Sequence, residues 1–325
     1  MKRFFSTAKL LARRVLSRLD LIKRSSASEF WDREGGSWEL GKGIHWTEHL
    51  AVQERFNLKI GGHIHHDLFL FLTGFLRNQG FELPLERALT LGCGTGEFER
   101  KLAGYEICRS HEGFDLSPES IRAASEKARE EGLDRLSYEV RDIDRISLSP
   151  ARYDLVFGIQ SVHHFSRLEH VFSEVSGALK PGGFFILHEF VGPSRFQWTD
   201  RQLEAVNGVL KLLPERYRRN LKAGGNELIS HVSRPAVKEM IRTDPSEAVR
   251  SSEILEVLPE SFRIIETRDL GGALIQLLME GITGNFDYDS PEDMKLLKLI
   301  FKLEDMLMEM GELSSDFIFV IAGKK

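Results

Sequence analysis

Cysteine is nearly absent from this chain: Cys93 and Cys108 are its two in 325 residues. They make neither a CxxC pair nor a metal quartet, which removes disulfide scaffolds and zinc knuckles and fits a reducing compartment. No apolar run approaches the roughly 20 residues that cross a bilayer. A net charge of −5 and a pI of about 6.2 leave no overall basic field for nucleic acid. Internal repeats and low-complexity tracts are also missing. What remains, 42% hydrophobic and 29% charged, is the composition of a globular protein with one large domain plus extras.

The charge is unevenly placed. Residues 1–24 carry Lys2, Arg3, Lys9, Arg13, Arg14, Arg18, Lys23 and Arg24 against Asp20 alone. Phe4, Phe5, Ala8, Leu11, Ala12, Val15, Leu16, Leu19 and Ile22 fall on one face at helical spacing, with most of the charge opposite. Three readings fit this basic amphipathic helix. It binds an anionic membrane surface, which makes the protein cytoplasmic and peripheral on the inner face. It docks on its own domain or a dimer mate. Or it is a mitochondrial presequence, with the matrix as destination. Ser25, Ser26 and Ser28 read as a short linker.

Residues 25–84 form an N-terminal lid or packing segment, rich in aromatics, glycine and histidine, with Trp31, Trp38 and Trp46 among them. The pattern predicts a helix from Thr47 to Leu58 capped by Thr47, and another from His65 to Arg77. His63, His65 and His66 have no acidic or cysteine partner at ligand spacing, so no metal is expected there.

From residue 87 the chain alternates strand and helix. Strands are predicted near Ala88–Leu91, Glu112–Leu116, Leu136–Val140, Tyr153–Ile159 and Phe184–Phe190, the last entered through a Lys180-Pro181-Gly182-Gly183 turn. Ser117-Pro118 starts the helix after the second strand and Gly132 stops it. Residues 195–260 interrupt the alternation with an Arg-containing, mostly helical cap. Strands at Phe262–Thr267 and Phe317–Ile321 flank a helix over Glu292–Met310. The expected fold is α/β: a doubly wound, mostly parallel seven-stranded Rossmann-like sheet formed by residues 85–194 and 261–325, with 195–260 inserted and the 1–24 helix in front.

The organising stretch is Arg87–Arg100, RALTLGCGTGEFER. A strand runs into Gly92, Gly94 and Gly96 and then a helix, the arrangement that brings backbone close to a nucleotide-like ligand. Dinucleotide turns need G-x-G-x-x-G, and the last of those positions is Glu97 here, a carboxylate that would repel two phosphates. The G-x-G-x-G spacing suits an adenosine ligand without phosphate, with Asp115, about 20 residues on, available for ribose hydroxyls. Cys93 inside the turn reads as a small apolar filler.

With LTLGCGTGEFE, FDLSPESI, RDID, YDLVFGIQSVHHF, LKPGGFFILHEF and FIFVIAGK in this order, the chain resembles class I S-adenosylmethionine-dependent methyltransferases. WTEHLAVQERFN, the double histidine, EFVGPSRFQW and DPSEAVRSSEI further resemble a bacterial subgroup associated with polysaccharide or glycolipid gene clusters. The resemblance implies S-adenosyl-L-methionine as cofactor. It implies that Gly92, Cys93, Gly94 and Gly96 line the methionine and ribose, that Asp115 takes the ribose hydroxyls, and that Leu116 packs on the adenine. Asp142 would accept from the adenine amino group, Ile143 would flank the ring, and Gln160 and Ser161 would approach the sulfonium. The family carries an acid two residues before the first glycine. Thr90 stands there, able to bond through water but not to balance an amino group.

A displacement at a sulfonium needs an aligned acceptor and a place for its proton. His163 or His164 is the candidate base, and Glu189 would orient a histidine or bind acceptor hydroxyls. Trp46, His49, Arg195 and Gln197 are candidate acceptor contacts, and Arg216, Arg218, Arg219 and Arg250 read as solvated helix or anion ligands. No pattern calls for a metal ion. The expected function is methyl transfer to a small or lipid-linked acceptor, on a hydroxyl of a glycan or glycolipid. The alternatives are carbon methylation of a quinone-like ring and an inactive cofactor-binding partner subunit.

Overall fold

The computed structural model describes Trp31 and residues 43–325; the predicted helix 1–24 and the serine linker lie outside the described residues. Seven strands, β1 (Leu85–Leu91), β2 (Cys108–Asp115), β3 (Leu136–Val140), β4 (Tyr153–Ile159), β5 (Leu179–Phe190), β6 (Phe262–Gly271) and β7 (Phe317–Lys324), make one sheet. Their order is β3-β2-β1-β4-β5-β7-β6, and β7 alone runs against its neighbours.

The unbroken apolar strands are explained by burial on both faces. Along β7, Phe317, Phe319 and Ile321 enter one core while Ile318, Val320 and Ala322 enter the other, and β5 divides Phe184 and Ile186 from Phe185 and Leu187 in the same way. The first core is covered by α1 (Leu50–Gly61), α2 (Leu68–Asn78) and residues from later in the chain. The second is covered by a helix over Leu168–Ala178 and another over Ile254–Ser261.

Several local expectations change. Within the N-terminal segment, residues 43–61 form a packing layer while Trp31 reaches the cavity described below: Trp46, 1% exposed, sits against Phe56 and Phe317 inside the first core. Trp46 is therefore a core residue and not an acceptor contact. Histidine, not Thr47, caps this region. His45 caps a single 3-10 turn over Trp46–Glu48, and His49 accepts from the Ala51 N–H to cap α1. His63, His65 and His66 precede α2, which starts after the Asp67 cap. The Lys180–Gly183 turn is absorbed into β5 as an irregularity, since the register jumps from Tyr153 opposite Leu179 to Leu155 opposite Phe184.

In the inserted region regular helix is limited to Asp200–Leu212 and Val237–Thr243, with irregular chain and single turns between them. Ile254–Ser261, placed by sequence in the cap, lies on the sheet with Ile254 and Leu258 fully buried. The core thus resumes several residues before 261. No helix among the described residues is long and apolar enough to cross a membrane.

Candidate functional site

Between β1 and β4 the strand order reverses, and a crevice opens there beyond the carboxyl ends of the strands. It holds a cavity of about 340 Å³. Its first wall is built by the turn after β1. Gly92 (φ +71°) lies so close to β4's continuation that an added Cβ would stand 2.6 Å from Ser161 Cβ. The Gly92 and Cys93 N–H groups donate to Phe114 O at 2.7 and 3.0 Å, which ties the turn to β2. Asp115 ends β2 and is fixed from both sides: Oδ2 accepts from the Gly94 N–H and Oδ1 from the Ser117 N–H, each at 2.9 Å. An added Cβ on Gly94 would meet no protein atom within 4 Å. Asp142 and the buried Ile143 begin a 3-10 turn after β3 and complete this wall with Leu116.

The second wall follows β4. Gln160 takes φ +51°, a strained value for a residue with a side chain, and Ser161 Oγ donates to Leu91 O at 2.6 Å. Glu189, inside β5 and wholly buried, organises this turn by accepting from Ser161 N–H (2.8 Å), Val162 N–H (2.6 Å), Phe190 N–H (2.7 Å) and His163 Nδ1–H (2.5 Å). Burial alone would raise its pKa, but His163 and the backbone donors outweigh that and hold the carboxyl below its usual range. Burial alone would lower His163, but Glu189, with Glu247 and Asp244, leaves it raised. His164 is lowered, by burial first and by His163 second.

The third wall comes from the insertion. Arg195 donates through Nη1 to Glu247 O (2.8 Å) and through Nη2 to Pro245 O (2.7 Å). Its own N–H reaches Ala248 O, and the Val249 N–H reaches His163 O. This segment is thereby clamped over the histidine turn, with Pro245, Ser246 and Val249 facing the cavity.

Of the sequence candidates, Gly92, Gly94, Asp115, Leu116, Asp142, Ile143, Gln160, Ser161, His164 and Arg195 share the cavity. The others lie elsewhere. Thr90 is buried and bonds His111 Nε2 at 2.8 Å, so strand alternation turns it away from the cavity. Cys93 packs toward Gly113, and burial, with Glu99 and Asp115 nearby, pushes its thiol well up. Gly96 caps the next helix beneath Tyr138. His163 and Glu189 stand behind His164. His49 is a helix cap bonded to Phe286 O, and Gln197 reaches Pro235 O. Arg216 and Arg250 are tied up in ion pairs with Glu292 and with Glu169 and Glu253.

Sequence reasoning missed Trp31, whose ring meets His164 edge-on at 5.1 Å, and the whole Asp244–Glu247 turn. DPSEAV was visible as a motif, but no spacing rule connects it to a histidine pair some 80 residues away. It also missed a grouping: His163, His164 and Glu247 each place a ligand-type atom within 4.8 Å of the others, although no metal was expected.

Residues 89–187 match a family model described as a methyltransferase domain. Among curated proteins the chain is similar to a sterol 24-C-methyltransferase of Candida albicans, 28% identical over 42% of this chain and 37% of that protein. It is also similar to the 27-O-demethylrifamycin SV methyltransferase of Amycolatopsis mediterranei, 27% identical over 45% of this chain and 56% of that one. The chain thus spans well under two thirds of these relatives. Among solved structures, phosphoethanolamine N-methyltransferase 2 of Haemonchus contortus in complex with S-adenosyl-L-methionine superposes with a TM-score of 0.50 and 18% identity, covering 92% of this chain and 60% of that one. This likeness places the sheet in the Rossmann-like methyltransferase fold.

Proposed function

We propose that the chain is an S-adenosylmethionine-dependent methyltransferase acting on a hydroxyl of a small or lipid-linked acceptor, a glycan or glycolipid. The observation that carries the reading is Asp115. Its carboxylate is anchored to the Gly94 and Ser117 N–H groups at the mouth of a cavity whose floor is glycine backbone. That geometry suits a ribose diol. The open space at Gly94 suits a ligand passing close to the backbone, and Glu97 at the first helical position disfavours a pyrophosphate. The methyltransferase family model over residues 89–187 supports the same reading.

The cofactor supplies a methyl group already activated on a sulfonium, so the protein's task is alignment and proton handling. Asp115 would hold the ribose hydroxyls, Leu116 and Ile143 would flank the adenine, and Asp142 would accept from its amino group. Gln160 and Ser161 shape the passage toward the second half of the cavity. There the wall mixes polar His164, Ser166, Arg195 and Ser246 with apolar Trp31, Phe165, Pro245 and Val249, which supports an acceptor that has both hydroxyls and an apolar part. Its proton leaves toward the histidine turn that Glu189 holds in place.

Calorimetry with S-adenosylhomocysteine tests the donor half: one molecule bound per chain is expected, and no binding overturns the reading. Transfer of labelled methyl from S-adenosylmethionine to a panel of glycan and glycolipid acceptors, with alkali-stable label expected, tests the acceptor half.

A further inference from the structure

We propose that the histidine turn and the Asp244–Glu247 turn together form a binding site for one divalent transition-metal cation just behind the acceptor-end wall of the cavity, which His164 alone of its ligands lines. His163, His164 and Glu247 hold their ligand-type atoms within 4.8 Å of one another. His163 Nε2 and Glu247 Oε1 stand 3.6 Å apart, too far for a hydrogen bond. Two ligands at about 2.1 Å from one tetrahedral ion stand about 3.4 Å apart, so the gap is that of a shared cation.

A second observation points to the same place. Asp244 is 4% exposed, its Oδ1 accepts from Ser246 N–H and Oγ, and its buried Oδ2 has no hydrogen-bond partner. That Oδ2 lies 3.8 Å from His164 Nδ1. A buried carboxylate oxygen without a donor is costly unless a cation meets it.

The support behind the ligands is also that of a metal site. His163 gives its Nδ1–H to the buried Glu189, which turns Nε2 toward Glu247, the carboxylate–histidine–metal relay in its unloaded form. Arg195 grips the carbonyls of Pro245 and Glu247, and Val249 N–H grips His163 O, so the two turns cannot drift apart. Two imidazoles with one carboxylate, and Asp244 beside His164, suit manganese, iron, cobalt or zinc rather than magnesium or calcium, which prefer all-oxygen sets. The assignment of a role rests on the proposed methyl transfer: a cation here would fix the His164 ring at the cavity wall, where it faces the acceptor.

Cobalt(II) is the probe, titrated by equilibrium dialysis and visible absorption into the full chain, into Glu247→Gln, into Asp244→Asn and into a His63→Ala/His65→Ala/His66→Ala control. S-adenosylhomocysteine affinity is measured on each preparation. One equivalent is expected in the parent and the triple variant, with affinity reduced tenfold to a hundredfold in Glu247→Gln and Asp244→Asn. Absence of stoichiometric binding, binding unchanged in both carboxylate variants, or loss of the signal in the triple variant overturns the site. Cobalt binding with these dependences but no S-adenosylhomocysteine binding leaves the cation site standing and removes the methyltransferase reading. The converse result removes the cation site alone.

Discussion

At one end of the cavity Gly92, Gly94, Asp115, Leu116, Asp142 and Ile143 come from consecutive strand ends of a parallel sheet. At the other, His164 and Ser246 face the cavity with His163, Asp244 and Glu247 behind them, Ser246 lying 82 positions beyond the histidine it bonds. The first end is assembled by local chain geometry: each strand stops, turns, and leaves a side chain or an N–H at the rim. The second exists only because an insertion folds back and is clamped by Arg195. Local construction makes a site readable from spacing and hard to move. Construction across an insertion hides it from spacing and lets the acceptor end change without disturbing the donor end.

The largest effect expected from breaking this comparison is at Asp115. Asp115→Ala removes the acceptor of the Gly94 and Ser117 N–H groups together with the ribose ligand. S-adenosylhomocysteine affinity should fall at least a hundredfold, about 3 kcal/mol, by calorimetry. Cobalt affinity at the other end should stay within about threefold, since the residues grouped there come from the turn after β4 and from the insertion, not from β2. An equal loss at both ends would show that the cavity is one cooperative unit.

That asymmetry also explains how much the sequence made legible. The positions of β4, β5 and β7 follow from apolar runs covered on both faces, and the expected seven strands form one mostly parallel sheet. The place of Asp115 at the cavity is legible because a turn and an acid at fixed separation are both local. Trp46 was misassigned to the acceptor because an aromatic beside polar residues reads the same whether it lines a pocket or, as here, fills a core against Phe56 and Phe317. Thr90, which stands at the family's acid position, bonds His111 because alternation, not sequence position, decides which way a strand residue points. His49 and His45 were not read as caps, since imidazole is an uncommon capping group. The meeting of His163 with Glu247 depends on the path of the whole insertion, which no periodicity encodes.

A smaller effect sharpens the contrast from beneath the glycine turn. Glu99 is fully buried, and burial raises its pKa to about 7 against the smaller opposing effect of Thr90 and its own backbone N–H. A folded-state pKa above the unfolded one, about 4.3, means the native state holds the proton more tightly. The resulting stability is complete below the unfolded pKa and is lost as pH rises through about 7. Glu99→Gln does not titrate, so from pH 5 to pH 8 the variant should lose less stability than the parent, by roughly 2 kcal/mol in urea unfolding. Parallel curves for the two proteins would mean that the carboxyl finds a compensating partner.

Arg195 gives the mildest test and the most discriminating one. Its guanidinium holds the Pro245 and Glu247 carbonyls, yet the segment keeps two further ties that a truncated side chain leaves intact, Arg195 N–H to Ala248 O and Val249 N–H to His163 O. Arg195→Ala should therefore loosen the turn without releasing it. Cobalt affinity should drop about tenfold, or about 1.4 kcal/mol, while S-adenosylhomocysteine affinity stays within about threefold. Arg195→Lys should not restore it, because an ammonium cannot span two carbonyls as a planar fork does. Restoration by lysine would mean that charge alone matters near Asp244 and Glu247. A matching fall in S-adenosylhomocysteine affinity would mean that the insertion also shapes the donor end, and the division of the cavity into a local half and an inserted half would not hold.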